Sequence, residues 1–395
     1  MTGRWKQALQ RFSFGMILGT LAVGAGPVLA ADAITPVLAR PLTPTTQPVR
    51  GTDGRLHLVY ELMLTNAGQK PATLERIDVL GQDGAPPLAS FAGAALQDHL
   101  RHPARLPVKD LAIEAAGTRV LLVDLALPAA AAPTKLQHRL RLLGAARGEL
   151  TPFDYTIAPV SVAMPIDVLG PPLAGRHWVA VNGCCGPGGA HRSTGLPING
   201  DLHYSQRYAI DWVQLDADGR FYTGDGTHME DYAYYAAPVL AVADGVVVEA
   251  VDDMHDQVPG RMPDPGTINL LNIGGNHIVL DLGHGRFGFY AHLKQGSLRV
   301  AKGDRVARGQ VLALLGNTGN TSAPHLHFHL MDSPSLLGSS GLPYVIDRFA
   351  VAGQLSVEQF DQGALDGDWK AGLAPQPTPR EKAFPLDLTV VDFTD

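Results

Sequence analysis

The sequence predicts a mostly β protein, with an N-terminal antiparallel β-sandwich followed by a second β domain. Three observations carry this. Apolar residues recur at period two through the first half, as in Leu56, Leu58, Tyr60, Leu62 and Leu64. In the second half His325, His327 and His329 alternate with Leu326, Phe328 and Leu330, after a loop rich in Gly and Asn that ends at Pro324. Helical patterning is scarce, with one candidate near 355–365. Period-two alternation is the strand signature.

Residues 1–30 have the composition of an export signal. Arg4, Lys6 and Arg11 form a basic start, Phe14 to Leu29 is apolar, and Val28-Leu29-Ala30 offers small residues for cleavage. Residues 31–54, rich in Pro, Thr and Ala, read as a leading arm or linker. Over 55–160 the Leu56–Leu64 alternation is followed by Arg76–Leu80, Thr118–Asp124 and Leu136–Leu143. Short strands at this spacing predict a sandwich, and nothing in it has catalytic spacing. Pro159 to Pro172, with four prolines, marks a boundary. The second domain is expected over 173–350, with strands at Arg207–Val213, Val239–Val251, His277–Leu282, Phe287–His292, Gln310–Leu315 and His325–Leu330. Gly283-His284-Gly285 predicts a tight hairpin. Residues 351–395 read as a C-terminal tail, loosely ordered beyond 366.

The chain has 395 residues, 45% hydrophobic and 17% charged, enough for more than one core. Loss of residues 1–30 would move the formal charge from −7 to −10. An acidic exported chain is a poor partner for nucleic acid or anionic lipid, and no other stretch is apolar enough to span a bilayer. Cys184 and Cys185 are the only cysteines, which excludes a four-cysteine metal site and a disulfide framework. The oligomeric state is not legible.

The chemistry concentrates at the three same-face histidines. Alternate strand residues lie roughly 6.6 Å apart, so one can hold a metal while its neighbour acts on a ligand of that metal. Four stretches, taken in order, resemble a known family. They are Ala237–Val247 (Ala-Pro-Val-Leu-Ala-Val-Ala-Asp-Gly-Val-Val), Tyr290-Ala291-His292-Leu293, Lys302-Gly303-Asp304 with Gly309-Gln310, and Gly316–Asn320 before Pro324-His325-Leu326-His327-Phe328. Together they resemble the zinc metallopeptidases of family M23, the lysostaphin or LytM type, over roughly residues 190–335. The resemblance implies an antiparallel β-groove with Zn2+ at its floor. It also implies His327 and Asp211 as metal ligands, His292 and His325 as catalytic histidines, and peptidoglycan peptides as substrate. His329 stands where the family usually has a glutamate, as either an outer support of a ligand or an exposed strand residue.

The chain departs from the family at one position. The first metal ligand should lie four residues before Asp211, where Arg207 stands, and a guanidinium cannot ligate zinc. His203 is eight residues before Asp211, roughly 26 Å along an extended strand. His191 is twenty residues before, across Gly195, Pro197 and Asn199-Gly200, whose turn chemistry can fold it back. The expected metal set is His191, Asp211 and His327, with His203 in place of His191, or no third protein ligand, as the alternatives, and with Arg207 free to clamp a substrate carboxylate. Insertions at 212–236 and 252–272 read equally as walls of the groove and as solvated loops.

The expected function is zinc-dependent endopeptidase action on cell-wall peptide cross-links outside the cytoplasm. The alternative is a catalytically degenerate groove that binds cell wall or activates another hydrolase. The Asp244-Gly245 and Lys302-Gly303-Asp304 hairpins also resemble biotinyl and lipoyl carrier domains, but no Met-Lys pair is present. Mass spectrometry of the exported protein should find a mature chain beginning near Ala31; a chain that retains Met1 would refute the leader.

Overall fold

In Leu56–Asn66 the even-numbered apolar residues face one core, and the intervening residues are also mostly buried. Both faces of this strand are therefore covered, and that places the two halves of the molecule together. A computed structural model describes residues 32–393, except 82–83, 104–105, 131, 147 and 367–371. The predicted export segment lies outside the described residues. The fold from Thr35 onward is a single unit.

The expected sandwich is present. One sheet has the order Val37–Pro41, Leu56–Asn66, Thr118–Leu127, Leu100–Arg101, with Val49–Arg50 paired to Leu56–Asn66. The other runs Thr45–Thr46, Glu149–Val162, Lys135–Ala146, Ala72–Leu80, Ala89–Ala92, with Ala112–Ile113 paired to Ala72–Leu80. Leu58, Tyr60, Leu62, Leu121 and Val123 meet Leu74, Ile77, Val79, Leu136 and Leu140 between the sheets. A bulge opposite Arg141 and Leu142 lets Leu74 and Ile77 share the inner face despite their odd spacing. The leading arm expected at 31–54 is instead part of both sheets: Val37 and Val49 are fully buried. Its prolines suggested a linker, but Pro41 ends an edge strand, where a missing N–H costs no ladder bond.

The second half is built on a sheet of twelve strands among the described residues. Its central order is Tyr344–Gln354, Thr389–Phe393, Gly175–Val181, Ile210–Gln214, Leu326–Met331, Arg286–Leu293, Asn276–Gly283, Gly245–Val251. The expected strand Val239–Val251 is two: Pro238–Leu240 pairs with Val311–Leu314 apart from the main sheet, and Gly245–Val251 joins it after a turn. Arg207 to Ala209 form a turn rather than a strand start. The hairpin joining Asn276–Gly283 to Arg286–Leu293 has positive φ at Gly283, His284 and Gly285, as its glycines suggested.

The loose tail is a misreading. Thr389–Phe393 is buried throughout and lies between two other strands of the large sheet. Leu373–Ala383 is an exposed edge strand paired with Tyr344–Gln354, and its Pro375, Pro377 and Pro379 are tolerated because it is an edge. The expected helix near 355–365 is Val357–Asp366. No described helix is long and apolar enough to cross a membrane.

The sandwich core holds a buried tyrosine–histidine pair. The Tyr60 hydroxyl donates to His138 Nε2 (2.8 Å), while His138 Nδ1 donates to the Ala158 carbonyl (2.7 Å). Burial pushes His138 down to about 4. Its folded-state pKa lies below the unfolded value near 6.5, so the unfolded chain binds more protons between the two. Stability is then full above pH 6.5 and falls as pH drops towards 4, by about 3 kcal/mol. Thermal melts at pH 7 and pH 5 should show a larger acid loss for the parent than for His138→Gln; equal losses would assign the effect elsewhere.

Candidate metal centre

Leu326–Met331 lies between Ile210–Gln214 and Arg286–Leu293. Leu326, Phe328 and Leu330 point into the large core, so His325, His327 and His329 are left to the other face. Register puts His327 directly opposite Asp211 on one side and Ala291 on the other. Directly opposed strand residues are near neighbours, and His327 Nδ1 lies 2.8 Å from Asp211 Oδ1.

His191 reaches the same carboxylate by a different route. The hairpin Leu196–Ile198 and Asp201–His203 turns at Asn199-Gly200, both at positive φ. It returns the chain so that His191 Nδ1 donates to the Ala209 carbonyl (3.2 Å). That bond directs Nε2 towards Asp211 Oδ2, 3.3 Å away. One donor atom from each of His191, Asp211 and His327 lies within 4.8 Å of the others. His203 is paired with Leu196 in the hairpin and is outside this group. Two imidazoles and a carboxylate are a donor set that catalytic zinc uses, with one position left open. The residues present therefore fit zinc.

Two further histidines border the group. His325 Nδ1 donates to the Ala323 carbonyl (2.9 Å), and its Nε2 lies 3.5 Å from Asp211 Oδ1. His292 Nδ1 donates to the Thr318 carbonyl (2.7 Å). Both rings thus have Nδ1 engaged by a carbonyl and keep Nε2 as the second nitrogen, that of His325 turned towards Asp211, and their centroids are 4.6 Å apart. The Gly-Asn loop makes this possible through close backbone approach. A Cβ on Gly275 or Gly319, both at positive φ, would lie 2.2 or 2.3 Å from backbone atoms of the facing segment. His292 itself has φ of 64°, a strained conformation for a side-chain-bearing residue. His292 N–H donates to Gly274 O (3.0 Å), and the Gly316 N–H donates to the His292 carbonyl (3.1 Å).

His329 is fully buried rather than exposed, and its Nδ1 is 2.8 Å from His327 Nε2. It occupies the second nitrogen of His327, which leaves Nδ1 to face Asp211 and fixes the ring's orientation. Two neighbours escaped the sequence reading. Asn182 Nδ2 donates to Asp211 Oδ2 (2.8 Å), and Thr318 supplies the carbonyl for His292. Asn182 sits just past the strand paired to Asp211, and only its place before Gly183 hinted at a turn.

Burial disfavours charge on every group here, but Asp211 inverts the balance locally. Burial would raise its carboxyl, yet His191 and His325 outweigh this and hold it well below the usual carboxylate range. Burial would lower His191 and His325, and the Asp211 carboxylate raises both. His327 is pushed to about 4 by burial, against the pull of Asp211, and burial with nearby His325 takes His292 well below its ordinary value. Asp211 is ionised and His327 and His292 are neutral near pH 7, so their lone pairs are available.

Arg207 is not a substrate clamp. It is 5% exposed and points away from the cleft, with Nε and Nη2 donating to Glu61 (2.9 and 2.5 Å) and Nη1 to Gly341 O (2.6 Å). The cleft, about 350 Å3, has an apolar wall of Met262, Ile273, Phe289, Leu336 and Leu337. Met262 comes from the 252–272 insertion, which is tied to the Gly-Asn loop through the Asn317 N–H to Asp256 (2.6 Å) and the Gly260 N–H to Ser322 O (2.8 Å). The 212–236 insertion does not line the cleft. Its Tyr232 and Tyr234 are buried in the core, the latter against Trp178, so its aromatics serve packing.

Residues 227–337 match a family model described as peptidase family M23. The match includes His292, His325 and His327 and leaves out His191 and Asp211. The chain is 42% identical over 57 residues to the peptidoglycan DD-endopeptidase ShyA of Vibrio cholerae serotype O1, covering 14% of this chain and 13% of that protein. It is 38% identical over 130 residues to the glycyl-glycine endopeptidase ALE-1 of Staphylococcus capitis, covering 33% and 30%. These matches span less than a third of either relative's length. A lysostaphin catalytic domain from Staphylococcus simulans is similar at 26% identity over 37% of this chain and 80% of that one, with a TM-score of 0.23.

If His191 is the third donor, His191→Ala should weaken zinc binding strongly while His203→Ala leaves it near the parent value. Competition with a chelator measures both; parental affinity in His191→Ala would remove it from the donor set.

Proposed function

We propose, from the premise that residues 227–337 carry a domain of peptidase family M23, that this chain is a zinc-dependent endopeptidase cleaving peptide cross-links of bacterial peptidoglycan outside the cytoplasm. The observation that carries the proposal is the ring of four histidines about one buried carboxylate. His191, His325 and His327 approach Asp211 at 3.3, 3.5 and 2.8 Å, with His292 beside them. His191, Asp211 and His327 would hold the zinc, and His329 and Asn182 would orient His327 and Asp211. Zinc bound there supplies a polarised carbonyl and a water acidified towards pKa 7.

The chain's own residues do the rest. The apolar wall excludes water from one side of an extended peptide, and Thr194 and Gln206 offer polar groups on the lining of the same cleft. The Nε2 atoms of His292 and His325 suit two roles: one accepts the proton of the attacking water, the other donates to the oxyanion. The same proton then passes to the leaving amine. The endopeptidase names of the relatives support the substrate class. The degenerate alternative drew its support from Arg207, and His191 at Asp211 supplies the donor that Arg207 lacks.

Purified protein should contain about one zinc, as one three-donor centre requires, and should release peptides from isolated peptidoglycan. His327→Ala should lose metal and activity together. His292→Ala and His325→Ala should keep most metal and lose turnover by on the order of 10²-fold or more. Full activity in His325→Ala would defeat the assignment, and a folded, metal-free parent would favour the degenerate reading.

A further inference from the structure

His191 is the only one of the three donors not held by strand pairing. It rides on residues 185–208, which lie against the outer face of the five-stranded sheet. Tyr204 packs with Val120 and Leu122 in one buried cluster. Arg101 donates to the Pro187 carbonyl (2.9 Å). At the centre of this contact lies Glu61, a fully buried residue of the sandwich. One of its oxygens accepts from both Arg192 Nη1 and Arg207 Nε, and the other accepts from Arg207 Nη2. Arg192 also donates to the Tyr60 carbonyl (2.9 Å), which anchors it across the same strand.

The covalent positions of these two arginines matter. Arg192 is the immediate neighbour of His191. Arg207 stands four residues before Asp211, within the turn leading into its strand. One carboxylate therefore pins both ends of the segment joining two metal donors. Glu61 keeps its charge: burial would raise its carboxyl, but the Arg207 and Arg192 guanidiniums outweigh this and hold it below its ordinary value.

We propose that Glu61 is a positioning residue of the metal centre, which sets His191 against Asp211 from the N-terminal sandwich through Arg192 and Arg207. The sandwich is then a structural part of the peptidase centre. The inference rests on His191, Asp211 and His327 being zinc ligands.

The test uses the full chain, with zinc and cobalt(II) as probes. Zinc affinity is measured by chelator competition and donor geometry by the visible spectrum of the cobalt form. Glu61→Gln should weaken zinc about 10–100-fold, the range for groups that orient ligands, and should alter the cobalt bands. Glu61→Asp, which keeps the charge, should recover most of the affinity. A folded Glu61→Gln with parental affinity and spectrum overturns the proposal. Should Glu61→Gln fail to fold by near-ultraviolet circular dichroism, the variant Glu61→Met, Arg192→Met, Arg207→Met leaves no buried charge unpaired. Weakened zinc in it supports the proposal and parental zinc overturns it. In the unmodified protein, zinc should slow amide exchange over residues 56–62 as well as 190–211, and no change at 56–62 overturns the proposal whatever the variants do. A parent that binds no zinc is a failure of the metal reading; a zinc-loaded parent with unaffected variants is a failure of this inference alone.

Discussion

The second half of the molecule is arranged around one buried carboxylate. Asp211 is 8% exposed at the middle of a sheet, and an isolated charge there would cost several kcal/mol in lost hydration. The fold meets that cost with directed groups: three imidazoles and the Asn182 amide surround its two oxygens. Each imidazole is held in turn at its other nitrogen, by the Ala209 carbonyl, the Ala323 carbonyl or His329. The result is a polar island in which each imidazole about the carboxylate is directed from a second point.

Much of this was legible because it is local. The His-x-His-x-His alternation gives a strand with one histidine face from period alone, and Asn199-Gly200 announces the turn that returns His191. Asp211 came from the resemblance, as the residue standing where the family's aspartate is expected. The structure adds what only long-range packing can supply. Glu61 is 146 residues from Arg207, and nothing in an alternating strand says that its outer face will be covered. His329 read equally well as exposed or supporting, since period two assigns a face and not its burial. The tail was misjudged because composition stood in for context: prolines that argue against a central strand are harmless at an edge, and Thr389–Phe393 is too short to show a pattern.

Arg207, four residues before Asp211, faces the sandwich rather than the cleft and carries a charge that needs a partner. Breaking such a buried pair by removing one member typically costs about 3–5 kcal/mol, so the arginine commits the chain to keeping Glu61. His191, twenty residues before Asp211, approaches its Oδ2 instead. Binding chemistry and domain docking thereby share one short stretch of chain, and neither can drift without the other.

The position of Thr389–Phe393 has a consequence for the order of events in the cell. This strand separates Tyr344–Gln354 from Gly175–Val181, and the latter is the immediate support of the strand bearing Asp211. A nascent chain that has delivered every cleft residue through Leu337 still lacks one flank of that support. The pairings of Thr389–Phe393 with both neighbours join residues far apart in the chain, so neither can form until well after the cleft residues have been made. The topology thus makes the platform under the Asp211 strand depend on a segment that follows every residue of the cleft.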